Sequence, residues 1–111
     1  MSRRSAARLL EAAPVFAALG DETRLRILDR LSEQGPMPIV ELTEGTGMTR
    51  QAVTKHLTAL KDAGLLRSAR VGRQQIWELE PKGLDKVQRH LETISRQWDA
   101  AIDRLRAFVE D

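Results

Sequence analysis

The chain has 111 residues, 41% apolar and 31% charged, a make-up that suits one soluble domain around one core. It contains no cysteine, which excludes disulfides, thiolate metal sites and thiol catalysis. The formal net charge of +2 conceals an uneven distribution. Residues 49–75 carry Arg50, Lys55, Lys61, Arg67, Arg70 and Arg73 against a single acid, Asp62, while the remainder holds twelve basic and fifteen acidic side chains. A basic stretch on an acidic body is the electrostatic footprint of a nucleic-acid binder; a solvated face without a partner is the alternative.

Ser5 to Leu19 is rich in alanine and leucine and predicts helix. Pro14 either kinks that helix or opens a second one at its first turn. Gly20 ends the region. Asp21 is placed to cap the next helix, with Glu22 in its first turn and Leu25, Ile27, Leu28 and Leu31 as its apolar face. Gly35-Pro36-Met37-Pro38 breaks the chain. A short helix follows at about Ile39 to Glu44, with Ile39, Val40 and Leu42 for burial, and then a tight turn at Gly45-Thr46-Gly47. Thr49 reads as the N-cap of a helix that runs to about Ala63 and is stopped by Gly64.

Leu65 to Arg70 and Arg73 to Glu80 read as two strands joined at Val71-Gly72. Gln75, Trp77 and Leu79 share one face of the second, with Trp77 and Leu79 toward the core. Pro81 suits a helix start, and nothing interrupts a helix from Lys82 to Val109. The expected fold is mainly α with a small β-hairpin wing: about five helices, two strands and a long last helix in a single domain, 1–111. No apolar run can span a bilayer. Met1 to Leu10 carries arginines without an apolar segment, so no secretory leader is expected and a cytoplasmic location follows.

Helix, glycine-bearing turn, helix across Ile39 to Ala63 is the helix-turn-helix pattern. Its second helix divides in two. Val53, Leu57 and Leu60 form an apolar stripe with Ala52 and His56 at the edge, and Arg50, Gln51, Thr54, Lys55 and Thr58 lie opposite. A recognition helix sets such N-terminal polar side chains against base edges in the major groove; an ordinary amphipathic helix is the alternative. The hairpin that follows has the tip Arg70-Val71-Gly72-Arg73, two guanidiniums around a glycine. That chemistry suits a wing reaching phosphates or the minor groove, against a merely solvated turn.

Four runs carry a resemblance: Phe16-Ala-Ala-Leu-Gly-Asp-Glu-Thr-Arg-Leu-Arg-Ile-Leu28, Gly47-Met-Thr-Arg-Gln-Ala-Val-Thr-Lys-His-Leu57, Leu60-Lys-Asp-Ala-Gly-Leu-Leu66 and Gly72-Arg-Gln-Gln-Ile-Trp-Glu-Leu79. Together they resemble the ArsR/SmtB family of bacterial winged-helix repressors over about residues 14 to 108. The resemblance implies a homodimer that binds an inverted-repeat operator on double-stranded DNA near its target promoter and releases it on a signal. It also implies DNA contacts from Thr49, Arg50, Gln51, Thr54 and Lys55, with Arg70 and Arg73 in the wing.

Metal-sensing members carry a cysteine pair where this chain has Ile39, Val40, Glu41 and Leu42, and others use acidic and histidine ligands on the last helix. Here the last helix has one histidine, His90, which reads as a solvated surface residue. His56 reads as structural. The stretch Trp98 to Phe108 resembles a metal-free branch of the family, so no metal and no cofactor are expected. Leu84, Val87, Leu91, Ile94, Trp98, Ala101, Leu105 and Phe108 recur by threes and fours, the seam of helices that pack on helices. The helix is roughly 40 Å long at ~1.5 Å per residue, longer than one core requires. One part of the stripe is expected to cover the chain's own first helix. The remainder, drawn from Leu84, Val87, Leu91, Ile94, Trp98 and Leu105, is expected to form the dimer interface.

No catalytic arrangement competes with this reading. The chain has no histidine cluster, no glycine-rich phosphate loop and no placeable nucleophile with its base, so an enzyme is not expected. A winged-helix protein-interaction module without DNA binding stays open at this level, as does a repressor responding to an unidentified small ligand.

Overall fold

A computed structural model describes residues 3–110, so the first two residues of the Met1–Leu10 stretch and Asp111 lie outside it. Among the described residues the elements run α1 (Arg3–Leu19), α2 (Glu22–Gln34), β1 (Met37–Pro38), α3 (Ile39–Thr43), α4 (Arg50–Asp62), β2 (Leu66–Val71), β3 (Gln74–Leu79) and α5 (Pro81–Glu110). Pro14 lies inside one continuous α1, so no second helix opens there. Asp21 caps α2 by accepting the Arg24 amide at 3.0 Å. The helix buries Ile27 and Leu31, with Leu28 packed alongside. Leu25, expected on the same face, is half exposed because it sits two residues, about 200°, from Ile27 around the helix. Val40 on α3 is likewise exposed, while Leu42 is buried.

α4 ends in two reciprocal backbone bonds. The Leu65 amide reaches the Leu60 carbonyl and the Gly64 amide reaches that of Lys61, both at 2.9 Å. Gly64 supplies the left-handed φ of +82° that this closure requires, and the flanking Leu60 and Leu65 are wholly buried against it. The chain is thereby turned directly into β2.

The expected hairpin is one side of a three-stranded antiparallel sheet in the order β1-β3-β2. Met37 pairs with Trp77 and Pro38 with Ile76, so the break after α2 also supplies a third, two-residue strand. Proline is tolerated there because β1 is an edge. Leu66, Trp77 and Leu79 turn one face of the sheet onto the helices, where Leu31, Met37, Leu42, Val53, Leu57, Leu60 and Leu65 complete the core. Glu80 starts α5: its carboxylate accepts the Lys82 amide at 3.2 Å, and Pro81 follows in the first turn.

Two residues counted with the dimer seam, Val87 and Leu84, belong to this core instead, Val87 buried and Leu84 packed against it. His90 is not solvated as expected. It is half buried, edge-on to Phe16 of α1 with ring centroids 6.5 Å apart. Beyond it α5 leaves the body, and the longest extent reaches 65 Å against 28 and 21 Å in the other directions. No helix among the described residues is long and apolar enough to cross a membrane.

Candidate nucleic-acid interface

α4 is built with a dry side and a wet side. Val53, Leu57 and Leu60 are 0% exposed, which fixes the roll of the helix. Arg50, Gln51, Thr54, Lys55 and Thr58 are all exposed on the opposite side, as their spacing requires. Thr49 caps the helix, its Oγ1 accepting the Ala52 amide at 3.1 Å. The Thr54 hydroxyl donates to the Arg50 carbonyl at 2.8 Å, which leaves its oxygen lone pairs and methyl for any partner. The α3–α4 turn is held by Thr46, whose hydroxyl donates to the Thr43 carbonyl at 2.7 Å and accepts the Met48 amide at 3.1 Å.

The wing turns one residue later than expected. Val71 pairs with Gln74, so the two-residue loop is Gly72-Arg73. Gly72 has φ +63° and Arg73 a negative φ, the pattern of a type II′ turn, which matches the twist of the strands it joins. Arg70 and Arg73 are exposed on either side of that glycine. Arg67, in the same basic stretch, is engaged within the hairpin: its Nε meets Glu78 at 2.7 Å and its Nη1 approaches Glu80 at 3.7 Å. Gln75 donates to the Ser68 hydroxyl at 2.8 Å across the two strands. The uncommitted cations of the wing are therefore at its tip.

The recognition-type helix is also tied to α2 by a polar link. Arg24 Nε donates to His56 Nδ1 at 3.2 Å, and Asp21 Oδ1 lies 3.8 Å from the same nitrogen. His56 is thus structural, as its place at the edge of the stripe predicts. The Arg24 amide holds the Asp21 carboxyl below its ordinary value, against partial desolvation, and the Arg24 guanidinium charge acts in the same direction as the amide.

On α5 two apolar residues outside the expected seam are also exposed. Ile102 and Val109 are exposed together with Leu91, Trp98, Leu105 and Phe108, whereas Ile94 is half buried and Ala101 contributes little apolar surface. Ile102 lies four residues after Trp98 and three before Leu105, so a plain helical projection places it on the stripe that a strict heptad count assigns to Ala101.

A helix-turn-helix domain family matches residues 19–69. YuzN, an uncharacterised HTH-type transcriptional regulator of Bacillus subtilis, is 46% identical over 68 residues, 56% of this chain and 74% of YuzN. An ArsR-like transcriptional regulator from Rhodococcus sp. RHA1 superposes with a TM-score of 0.74 at 37% identity, covering 90% of this chain and 93% of that one. The homodimeric winged helix-turn-helix DNA-binding domain of Mb0332 from Mycobacterium bovis, a possible ArsR-family regulator, does so with a TM-score of 0.67 at 30% identity. That match covers 87% of this chain and 89% of the other. With its capped two-sided helix, its cationic wing and these similarities, the chain belongs to the ArsR/SmtB family of winged helix-turn-helix DNA-binding transcriptional regulators.

Proposed function

We propose that the protein is a homodimeric repressor that binds an inverted-repeat operator near its target promoter. The observation that carries this reading is the exposed row Arg50, Gln51, Thr54 and Lys55 on a helix whose back is fully buried, flanked by the tip arginines Arg70 and Arg73. Arginine and lysine match the guanine edge, glutamine matches adenine, and Thr49 and Thr54 serve either base or phosphate. The wing arginines meet phosphate or the minor groove beside the docked helix.

The apolar face of α5 supports the dimer. Leu91, Trp98, Ile102 and Leu105 are 44–67% exposed on one chain, an arrangement that a second copy covers by two-fold symmetry. The homodimeric state of the Mb0332 domain agrees with it. Two recognition helices related by a two-fold then face successive major grooves, with half-sites about 10 bp apart or a multiple of that. A dimer occupying such a site within a promoter excludes polymerase, hence repression. Selection of bound fragments from genomic DNA, followed by footprinting and transcription from the recovered promoter, tests all three elements. Protection of a two-fold symmetric site and reduced transcription are expected. Protection of an asymmetric site, or stimulation, would contradict the reading.

A further inference from the structure

Among the described residues, one side-chain hydrogen bond joins α2 to the recognition-type helix, from Arg24 Nε to His56 Nδ1 at 3.2 Å. A guanidinium can only donate, so the bond exists only while Nδ1 carries no proton. The neutral imidazole is therefore part of how α4 is seated. Protonation turns that nitrogen into a donor and sets two cations against each other. The same nitrogen has a second partner within reach, Asp21 Oδ1 at 3.8 Å. Asp21 is fixed by its own task, since Oδ1 accepts the Arg24 amide at 3.0 Å and caps α2. Its carboxyl, held below the ordinary range by that amide, stays ionised wherever histidine titrates. The ring has to move instead, by about 1 Å to reach charged hydrogen-bond distance.

The His56 side chain is 20% exposed, so the exchange takes place largely out of water, where a change of partner weighs more. On α4 its neighbours one turn away, Ala52 and Leu60, carry no charge, and Lys55 and Lys61 are exposed. Of the other elements packed on α4, α1 carries its charges between Arg3 and Glu11, α3 has Glu41, and β2 has Arg67 and Arg70; all of these side chains are exposed. The choice for His56 thus lies between Arg24 and Asp21. Val53, Leu57 and Leu60 pin α4 in the core, with His56 at the edge of their stripe. Drawing that edge toward Asp21 rolls the helix about its buried side and turns the row of Arg50, Gln51 and Thr54. Hydrogen bonds to base edges tolerate a few tenths of an ångström, so a shift of this size misaligns them.

We propose that His56 is a positioning residue that makes DNA binding pH-dependent: neutral, it seats α4 through Arg24; protonated, it exchanges Arg24 for Asp21 and unseats the base-reading row. The DNA half rests on the operator reading above. Histidine is the side chain that changes charge between about pH 5 and 8, so the device works in that interval. Added charge alone has the opposite sign, because another cation near the DNA tightens its hold on phosphate.

The test follows the imidazole nitrogens of the full chain by NMR from about pH 8 to about pH 5, alongside affinity for the selected DNA fragment. At the alkaline end Nδ1 should be the unprotonated nitrogen, and the Arg24 Nε–H signal should move in step with its titration. Affinity for the operator should fall roughly tenfold across the interval, the effect of one charged hydrogen bond, while a scrambled fragment is held no less tightly. His56→Gln keeps an acceptor for Arg24 and has no proton to gain, so its operator affinity should be flat, with its helical content checked by circular dichroism. Asp21→Asn keeps a capping oxygen but loses the charge that draws the proton, so both transitions should move to lower pH. His90→Gln should leave the pH dependence intact. A proton on Nδ1 at the alkaline end, or an Arg24 signal that ignores the titration, would overturn the exchange. Operator binding that is flat or tighter on acidification, or wild-type pH dependence in His56→Gln, would overturn the effect on DNA. A chain that binds no fragment at any pH would overturn the operator reading and that effect together, while the nitrogen signals still decide the exchange.

Discussion

Trp98 is the most informative position on the proposed dimer seam because the single chain gives it so little cover. It is 67% exposed and lies outside the core. A tryptophan offers up to about 250 Å² for burial, so roughly 170 Å² remains for a partner. At about 25 cal/mol per Å² that is ~4 kcal/mol per protomer at complete burial, and two-fold symmetry counts it twice. Incomplete burial and the ordering of two side chains reduce this sum to about half, or ~4 kcal/mol in all. Trp98→Ala should therefore raise the dimer dissociation constant about a thousandfold. Trp98→Glu should do more, since it places a carboxylate in an apolar contact. Sedimentation equilibrium across a concentration series measures both, with helical content checked by circular dichroism. Val87→Ala is the contrast: Val87 is 8% exposed within the core, so its loss should lower thermal stability and leave the seam intact. Wild-type dimerisation of both Trp98 variants would refute the assignment of this face.

Three further outcomes follow from other parts of the chain. Gly83, in the first turn of α5, packs against Gly64, and a methyl there would overlap the Gly64 carbonyl. Because backbone meets backbone, Gly83→Ala should cost about 3 kcal/mol, the upper end of overpacking, in urea unfolding. Asp21 has a carboxyl pKa lowered by the Arg24 amide, so its contribution to stability is present above its unfolded value and is lost as pH falls through the lower folded one. Melting temperature should accordingly fall on acidification below about pH 4, and Asp21→Asn, which retains a capping oxygen, should remove that increment. Zinc, cadmium and arsenite should leave DNA affinity unchanged, given no cysteine and only His90 on the last helix; a metal-dependent change reversed by a chelator would contradict this.

What is readable in the sequence is whatever repeats along one helix or is set by local chemistry. The Thr49 cap, the 53/57/60 stripe and the polar row opposite follow from 3.6-residue periodicity, and the wing tip follows from arginines around a glycine. What escapes it depends on contacts between distant segments. β1 is two residues long and one is a proline; only its pairing with Trp77 and Ile76 makes it a strand. The turn falls at Gly72-Arg73, one residue later than local composition places it, because the choice depends on which residue takes the positive φ. Leu25 and Val40 are apolar but lie off their helices' buried faces, an outcome hydrophobicity alone does not distinguish. The stripe of α5 is legible as a stripe, but not where the chain's own core stops, after Val87 and His90, and the open seam begins.

The central claim is that α4 reads bases and the wing holds phosphate. It is tested most directly by measuring how single substitutions alter base preference on the selected operator, using binding to a library with every half-site position varied. Arg50→Ala and Gln51→Ala should each cost about 1–3 kcal/mol and relax the preference at one base pair per half-site. Arg73→Ala should weaken all sequences alike and flatten the salt dependence by about 0.9 log units per lost phosphate contact, roughly two for a dimer. If Arg50→Ala and Gln51→Ala lower affinity uniformly while Arg73→Ala changes base preference, the wing reads the sequence and the roles of the two elements are reversed.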